Sequence, residues 1–319
     1  MRLLCCEETS SSFNSYHSLN NNMQKHSLKD WVLATRPWSF PASSMPVLVT
    51  LVWLWSAGYE VQWWFGVWAL VNIVFVHAAG NVWSDIADYR SGVDADDTYG
   101  VRSLVDRQFT PQEFQRLSLG LNLVAVLMGL GLVALTGVTL LYIGMAGILL
   151  SLCYPRLKYA ALGDLVIILC YAFLPMVGTS FIASGAIRWE VLWLAVPVGS
   201  ITVAILHVNN TRDIETDRRA DIHTLAMLTG RPFAAYVYVF EVLMPYAWMV
   251  ALVLTGFTPW TALLAVLSLP VALKNARTML AYRQQGLAAI ARLDEGTAQL
   301  QLLFSLLLTA GLALSLLLH

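Results

Sequence analysis

Nine runs of apolar residues dominate this sequence, and each is long enough to cross a bilayer as a helix. A hydrocarbon core about 30 Å thick requires roughly 20 helical residues. Of the whole chain, 58% is hydrophobic and only 12% is charged, which is about half the charged fraction of soluble domains. We therefore predict an all-α integral membrane protein with nine transmembrane helices, at 40–57, 63–83, 117–135, 138–154, 164–183, 191–209, 235–254, 259–274 and 299–318.

The distribution of Lys and Arg predicts how the chain is oriented. The chain has 19 Lys and Arg residues. Apart from Arg2, which is in the N-terminal tail and is not counted, all of them except Arg188 lie on the same side of the membrane as the N-terminus. Because cytoplasmic loops carry the excess of basic residues, we expect the N-terminus to be cytoplasmic. The C-terminus then lies on the opposite face of the cell (inner) membrane.

The N-terminal residues differ from the rest of the chain. Residues 1–27 are polar and lack the apolar core of a signal peptide. We predict a disordered polar tail at 1–27, followed by a single transmembrane domain at 28–319. Membrane lipid is the expected surrounding, and no nucleic acid is expected as a partner.

Acidic residues are concentrated in two segments on the predicted cytoplasmic side. Segments 84–113 and 209–221 hold eleven of the 20 Asp and Glu residues. Asp85 with Asp88, and Asp213 with Asp217, are three or four positions apart and would share one helix face. Two such pairs facing each other would bind Mg²⁺ together with a phosphorylated substrate, since hard cations prefer carboxylate and phosphate oxygens. The alternative is a solvated acidic loop, which the scarcity of acidic residues on the outer face argues against.

Basic residues beside these segments are candidates for phosphate binding. Breaking a C–O bond to diphosphate places negative charge on the leaving group, which positioned cations stabilise. Arg102, Lys158 and Arg212 are the candidates. The alternatives are that they only satisfy the positive-inside rule or, for Arg212, that it orients carboxylates. His207 lies near the end of a predicted span, and we expect it to line a cavity or to form a structural hydrogen bond.

Several polar stretches resemble the UbiA superfamily of membrane prenyltransferases. The resemblance is closest to the branch that prenylates 1,4-dihydroxy-2-naphthoate, usually called MenA. The stretches that carry it are Ala34-Thr35-Arg36-Pro37, Gly80-Asn81 together with Asp88 to Asp94, Leu162-Gly163-Asp164, and Asn209 to Arg218.

This resemblance implies a helical bundle around a central cavity and a magnesium-dependent reaction. A polyprenyl group would pass from polyprenyl diphosphate to the aromatic acid 1,4-dihydroxy-2-naphthoate, with loss of CO₂ and diphosphate, giving demethylmenaquinol for menaquinone biosynthesis.

The resemblance also implies roles for individual residues. The metal ligands would be Asp85, Asp88, Asp213 and Asp217, and Asp88, Asp213 and Lys158 would act in catalysis. The substrate-binding residues would be Asn81, Ser84, Asp94, Arg102, Lys158, His207, Asn210 and Arg212. Ser84 stands where the family has Asn, and its hydroxyl reaches less far toward a metal than an amide does.

Other functions remain compatible with the sequence. Within the same family, 4-hydroxybenzoate and homogentisate are alternative acceptors. A membrane transporter is the alternative from a different class, although transporters bind substrate near the midplane. An alcohol phosphatidyltransferase also uses clustered Asp residues and a metal, but its compact motif is missing here.

Overall fold

A computed structural model describes residues 26–92, 103–219 and 223–318 of the chain. Helices make up nearly all of this part. A short first unit contains helix α1 (Leu28–Ala34). Ser27 caps this helix: its amide and hydroxyl donate to the Asp30 carboxylate, and the Asp30 amide donates back to the hydroxyl. The predicted disordered tail lies almost entirely outside the described residues.

The second unit, residues 35–319, contains the long helices. They are α2 (Pro41–Ser56), α3 (Trp63–Ser91), α4 (Pro111–Thr136), α5 (Thr139–Tyr159), α6 (Gly163–Ile168), α7 (Leu174–Ser184), α8 (Leu192–Arg212), α9 (Ile214–Arg219), α10 (Leu225–Thr229), α11 (Arg231–Leu254), α12 (Leu269–Gln285) and α13 (Leu293–Ser315). A π-helical turn, Leu169–Phe173, joins α6 to α7, and 3₁₀ turns at Trp189–Val191, Trp260–Ser268 and Leu287–Ile290 precede α8, α12 and α13.

Eight of these helical segments, within the described residues, are long and apolar enough to cross a membrane. They include every predicted span except that at 138–154, where the apolar part of α5 is the shorter segment Thr139–Tyr154. The predicted multi-pass, all-helical architecture is therefore confirmed, whereas the predicted number of nine spans is not.

The first acidic motif lies on a helix, although the predicted span ended before it, at residue 83. Helix α3 continues eight residues past its predicted end and stops at Ser91, where Gly92 takes the left-handed conformation (φ 72°). Hydropathy missed this eight-residue extension because polar side chains at a helix end still permit helical backbone hydrogen bonds. The next helix begins early as well: Thr110 and Glu113 form a capping box around Pro111. Glu113 is thus a capping residue of α4.

Small residues let the helices of the second unit approach closely. A Cβ atom built on Gly311 of α13 would clash with the Thr261 carbonyl oxygen, and one on Gly199 of α8 would lie 2.8 Å from Ile168. Such contacts are typical of membrane helices, whose association depends on close van der Waals packing. In contrast, Leu119, Leu123 and Leu127 of α4 are about 60% exposed, as expected of a face that contacts lipid.

Candidate functional site

The first acidic motif lies on the last two turns of α3. Asp85 is buried and forms an ion pair with Arg36. Asp88 lies one turn further along, where its Oδ1 is 3.9 Å from the Lys158 ammonium and its Oδ2 accepts a hydrogen bond of 3.4 Å from the Ser84 hydroxyl. The two carboxylates predicted to converge therefore contact different cations.

Asn81 holds the segment that carries Arg36. Its amide nitrogen donates to the Thr35 carbonyl oxygen at 2.9 Å and to the Ser39 hydroxyl at 3.0 Å, one residue before Arg36 and three after it. Arg36 itself adopts a left-handed backbone conformation (φ 57°, ψ 60°), which is costly for a residue with a side chain. The substrate-binding residue predicted at position 81 is thus seen to position a neighbouring turn.

The second motif lies where α8 ends and the short helix α9 begins. Arg212 is buried and makes a bidentate contact with Asp213, at 2.8 and 2.9 Å. The same guanidinium donates to the Ala291 carbonyl oxygen at 3.2 Å and lies 3.6 Å from Asp294. This geometry agrees with the alternative that Arg212 orients carboxylates. Asn210 is buried on the preceding turn of α8.

The two motifs approach each other around Lys158. Asp217 is buried on α9, within electrostatic range of Lys158, Asp213, Asp88 and Arg212. Lys158 lies in the last turn of α5, and the chain reverses at Ala160–Leu162 before α6. Three separate helices therefore bring carboxylates and one ammonium group to the same region, as the sequence predicted.

The carboxylates of this region are suited to a divalent cation. Burial, together with the neighbouring carboxylates of Asp213 and Asp88, raises the pKa of Asp217 to about 6, and Lys158 and Arg212 oppose this shift. Burial is the largest cause of this shift, because a carboxylate loses solvation there; the neighbouring carboxylates add to it. Oxygen ligands with excess negative charge fit Mg²⁺, and the candidates to hold it are Asp88, Asp213 and Asp217.

Asp85 is buried and pairs with Arg36, whereas Asp88 and Asp213 lie within electrostatic range of Asp217. Of the remaining predicted residues, Asp94 and Arg102 lie outside the described part of the chain. His207 lies on α8, fully buried between Asp164 and Glu241, and its Nε2 donates to the Ala234 carbonyl oxygen at 3.0 Å.

Four residues near the site were not assigned to it by sequence reasoning. They are Arg36, Tyr154, Asp164 and Asp294. Tyr154 lies within electrostatic range of Lys158, Asp88, Asp164 and Asp217. The stretches containing Arg36 and Asp164 belong to the resemblance, which was the one signal for them. Asp294 lies in the first turn of α13, distant in sequence, and no motif indicated that it would contact Arg212.

Comparison with known proteins gives a consistent result for sequence and fold. A sequence model of the UbiA prenyltransferase family matches residues 43–302. A UbiA prenyltransferase domain-containing protein 1 from Xenopus tropicalis is 34% identical over 302 residues, which cover 91% of this chain and 84% of that protein. That relative's name specifies no aromatic acceptor.

Two solved structures share the fold. A UbiA homologue from Aeropyrum pernix K1, solved in its apo form, superposes with a TM-score of 0.65 at 18% identity, covering 88% of this chain and 97% of that one. A homologue from Archaeoglobus fulgidus bound to DMAPP and Mg²⁺ gives a TM-score of 0.59 at 12% identity, covering 85% and 98%.

Proposed function

The chain belongs to the UbiA prenyltransferase family, and on that premise we propose that it transfers a polyprenyl group from polyprenyl diphosphate to 1,4-dihydroxy-2-naphthoate. The new bond joins the allylic carbon of the donor to the ring carbon that carried the carboxylate. Diphosphate leaves from the donor and CO₂ leaves from the ring, so the products are demethylmenaquinol, diphosphate and CO₂.

The observation that carries this proposal is the meeting of Asp88, Lys158 and Asp217. Lys158 lies 3.9 Å from Asp88 and lowers the pKa of Asp217, so one ammonium group faces carboxylates from both motifs. Carboxylates alone would repel a diphosphate, and an ammonium alone would bind it without a metal. Their combination is suited to a metal diphosphate, because the anion contacts Lys158 while the carboxylates face the metal.

Each residue of this region then has a defined task. Asp88, Asp213 and Asp217 would hold Mg²⁺, which when bound neutralises the charge that develops on the departing diphosphate. Lys158 would donate to a diphosphate oxygen. Arg212 holds the Asp213 carboxylate through two hydrogen bonds, and Arg36 holds Asp85 at the base of the first motif. Asp94 and Arg102 remain proposed contributors from the segment between α3 and α4.

The naphthoate acceptor rests on the resemblance of the polar motifs to the MenA branch. 4-Hydroxybenzoate and homogentisate are the alternative acceptors within the same chemistry. We further propose that the ends of α3, α5 and α8 that carry the site face the cytoplasm and that the C-terminus lies on the other face, as the distribution of basic residues predicts.

The decisive experiment uses the purified protein in detergent with Mg²⁺ and a long-chain polyprenyl diphosphate. Each aromatic acid is supplied in turn, and 1,4-naphthohydroquinone serves as a comparator that lacks the carboxylate. Mass spectrometry should detect the prenylated naphthoquinol, and carboxyl-labelled substrate should release labelled CO₂. If only 4-hydroxybenzoate or only homogentisate is prenylated, that acid is the acceptor and 1,4-dihydroxy-2-naphthoate is not. Metal-dependent solute flux without any prenylated product would favour a transporter.

A further inference from the structure

Asp164, His207 and Glu241 form a second polar cluster, adjacent to the acidic motifs but composed of different residues. They come from α6, α8 and α11, and one ligand atom from each lies within 4.8 Å of the others. His207 is fully buried and Glu241 is 8% exposed. Ionisable side chains inside a membrane-spanning bundle are costly and require a partner of opposite charge.

The hydrogen bonding of His207 fixes which nitrogen faces the carboxylates. Nε2 lies 3.0 Å from the Ala234 carbonyl oxygen, and a carbonyl only accepts, so Nε2 carries the proton. In the neutral imidazole, Nδ1 then carries no proton and has a free lone pair. It faces Asp164 Oδ2 at 3.7 Å and Glu241 Oε1 at 3.6 Å. Metal-binding histidines commonly donate their second nitrogen to a backbone carbonyl in this way.

Several buried polar atoms of this cluster lack a hydrogen bond. Among the described residues, Nδ1 of His207, both carboxylate oxygens of Asp164 and Oε2 of Glu241 are buried without a hydrogen-bond partner. Three electron-pair donors that face one another in a buried site need a cation between them. That cation is either a proton, carried by Nδ1 or by one of the carboxylates, or a metal ion.

The distances discriminate between the two cations. A proton on Nδ1 or on a carboxyl would form a hydrogen bond of about 2.7–2.8 Å to another member of the cluster. Nδ1 lies 3.7 and 3.6 Å from the two carboxylates, and both oxygens of Asp164 lack a hydrogen-bond partner. In a tetrahedral site with bonds of about 2.1 Å, adjacent ligand atoms are about 3.4 Å apart. The observed 3.6 and 3.7 Å are close to that spacing. The charge agrees as well, since two carboxylates balance one divalent ion.

We infer that Asp164, His207 and Glu241 bind a single Zn²⁺ ion, at a site separate from the one that holds the metal diphosphate. An imidazole ligand favours Zn²⁺ over Mg²⁺, which prefers oxygen ligands. The ion links α6, α8 and α11. Asn210 follows His207 by one turn of α8, so the ion fixes the helix end that carries the second acidic motif.

Metal content tests this inference without any substrate, so its failure would leave the prenyltransferase proposal standing. The protein is purified without a polyhistidine tag, stripped with chelator and titrated with Zn²⁺ in excess Mg²⁺. About one equivalent should bind tightly to the wild type and to the Asp88→Asn/Asp217→Asn double variant. Glu241→Gln and His207→Gln should lose it. His77→Gln is the matched control, because His77 is also buried in a span and hydrogen-bonds Ser43 at 2.8 Å.

X-ray absorption of the wild-type zinc complex provides a readout that does not depend on any variant folding. One imidazole nitrogen and oxygen ligands at about 2.0–2.2 Å are expected. Absence of tight zinc binding in the wild type, a spectrum without imidazole scattering, or full zinc content in both His207→Gln and Glu241→Gln would overturn the inference.

Discussion

Arg36 forms an ion pair with Asp85, which lies 49 positions further along the chain. This pair connects the turn before α2 to the end of α3, and it separates the roles of two aspartates that the sequence presents as equivalent. Asp85 is neutralised within the protein, whereas Asp88 faces Lys158 and the second motif.

Removing Arg36 should destabilise the protein through the buried carboxylate that is left behind. Arg36→Met should cost about 3 kcal/mol, as measured where one partner of a buried ion pair is removed. The Arg36→Met/Asp85→Asn double variant should recover part of that loss, because it buries no unpaired charge. Thermal unfolding in detergent measures both, and a double variant no more stable than Arg36→Met would contradict the role given to the pair.

Removing a metal-facing carboxylate should abolish turnover while leaving the fold intact. Asp88→Asn and Asp217→Asn should each lower kcat by at least about a hundredfold, because charge stabilisation in the transition state is lost. Steady-state kinetics across a Mg²⁺ titration measures this effect. Asp106→Asn is the matched control, since Asp106 is an exposed acidic residue of the same predicted cytoplasmic side, and its turnover should be unchanged. Full activity of Asp88→Asn in excess chelator would refute a metal at this site.

Lys158 should act on the diphosphate specifically, beyond adding positive charge to the region. Lys158→Met should raise KM for the donor and lower kcat by about tenfold or more, because a charge-assisted contact to the leaving group is lost. Arg156→Met removes an exposed cation from the same turn of α5 and should change neither. Equal effects of the two substitutions would indicate that only the general positive charge of the loop matters.

Protonation of Asp217 should weaken metal binding in mildly acidic solution. Its pKa is raised to about 6 from the ordinary 3.8, so the proton competes with Mg²⁺ as the pH falls below about 6. Apparent Mg²⁺ affinity, measured by calorimetry between pH 5 and 8, should fall across that window in the wild type. In Asp217→Asn it should be weaker at every pH and lack this step.

The same group should affect stability in the metal-free protein with the opposite sign. A carboxyl whose folded pKa is raised stabilises the fold below its unfolded pKa of 3.8, and this contribution is lost as the pH rises through about 6. In chelator, the difference in Tm between Asp217→Asn and wild type should therefore grow from pH 4.5 to 7.5. A difference that stays constant over this range would show that Asp217 is not a buried ionisable group.

Hydropathy predicted the helical architecture, because spans follow from a local regularity, and the distribution of basic residues placed both acidic motifs on the same side. A span requires only a run of apolar residues, and two carboxylates three apart share a helix face wherever that helix lies. The partners of Asp85, Arg212 and His207 could not be predicted in this way. Each pairing depends on how helices distant in sequence pack, and the relevant residues, Arg36, Asp294 and Asp164, carry no local pattern that names their partner.

The predicted end of α3 was wrong for a related reason. Hydropathy marks where a chain leaves the bilayer, but backbone hydrogen bonding continues until a residue stops it. At the end of α3 that residue is Gly92, nine positions beyond the predicted end of the span at residue 83. The first acidic motif is therefore held rigidly on a helix.

The guanidinium of Arg212 contacts both Asp213 and Asp294. This shared contact couples cation binding at Asp213 to the docking of α13, which carries Asp294. A cation bound to the Asp213 carboxylate weakens the ion pair between Asp213 and Arg212. The Arg212 guanidinium is then attracted more strongly to Asp294 at the start of α13. Linkage is reciprocal, so tighter docking of α13 favours cation binding to the same extent. Occupancy of the second motif and the order of the C-terminal helix should consequently rise and fall together.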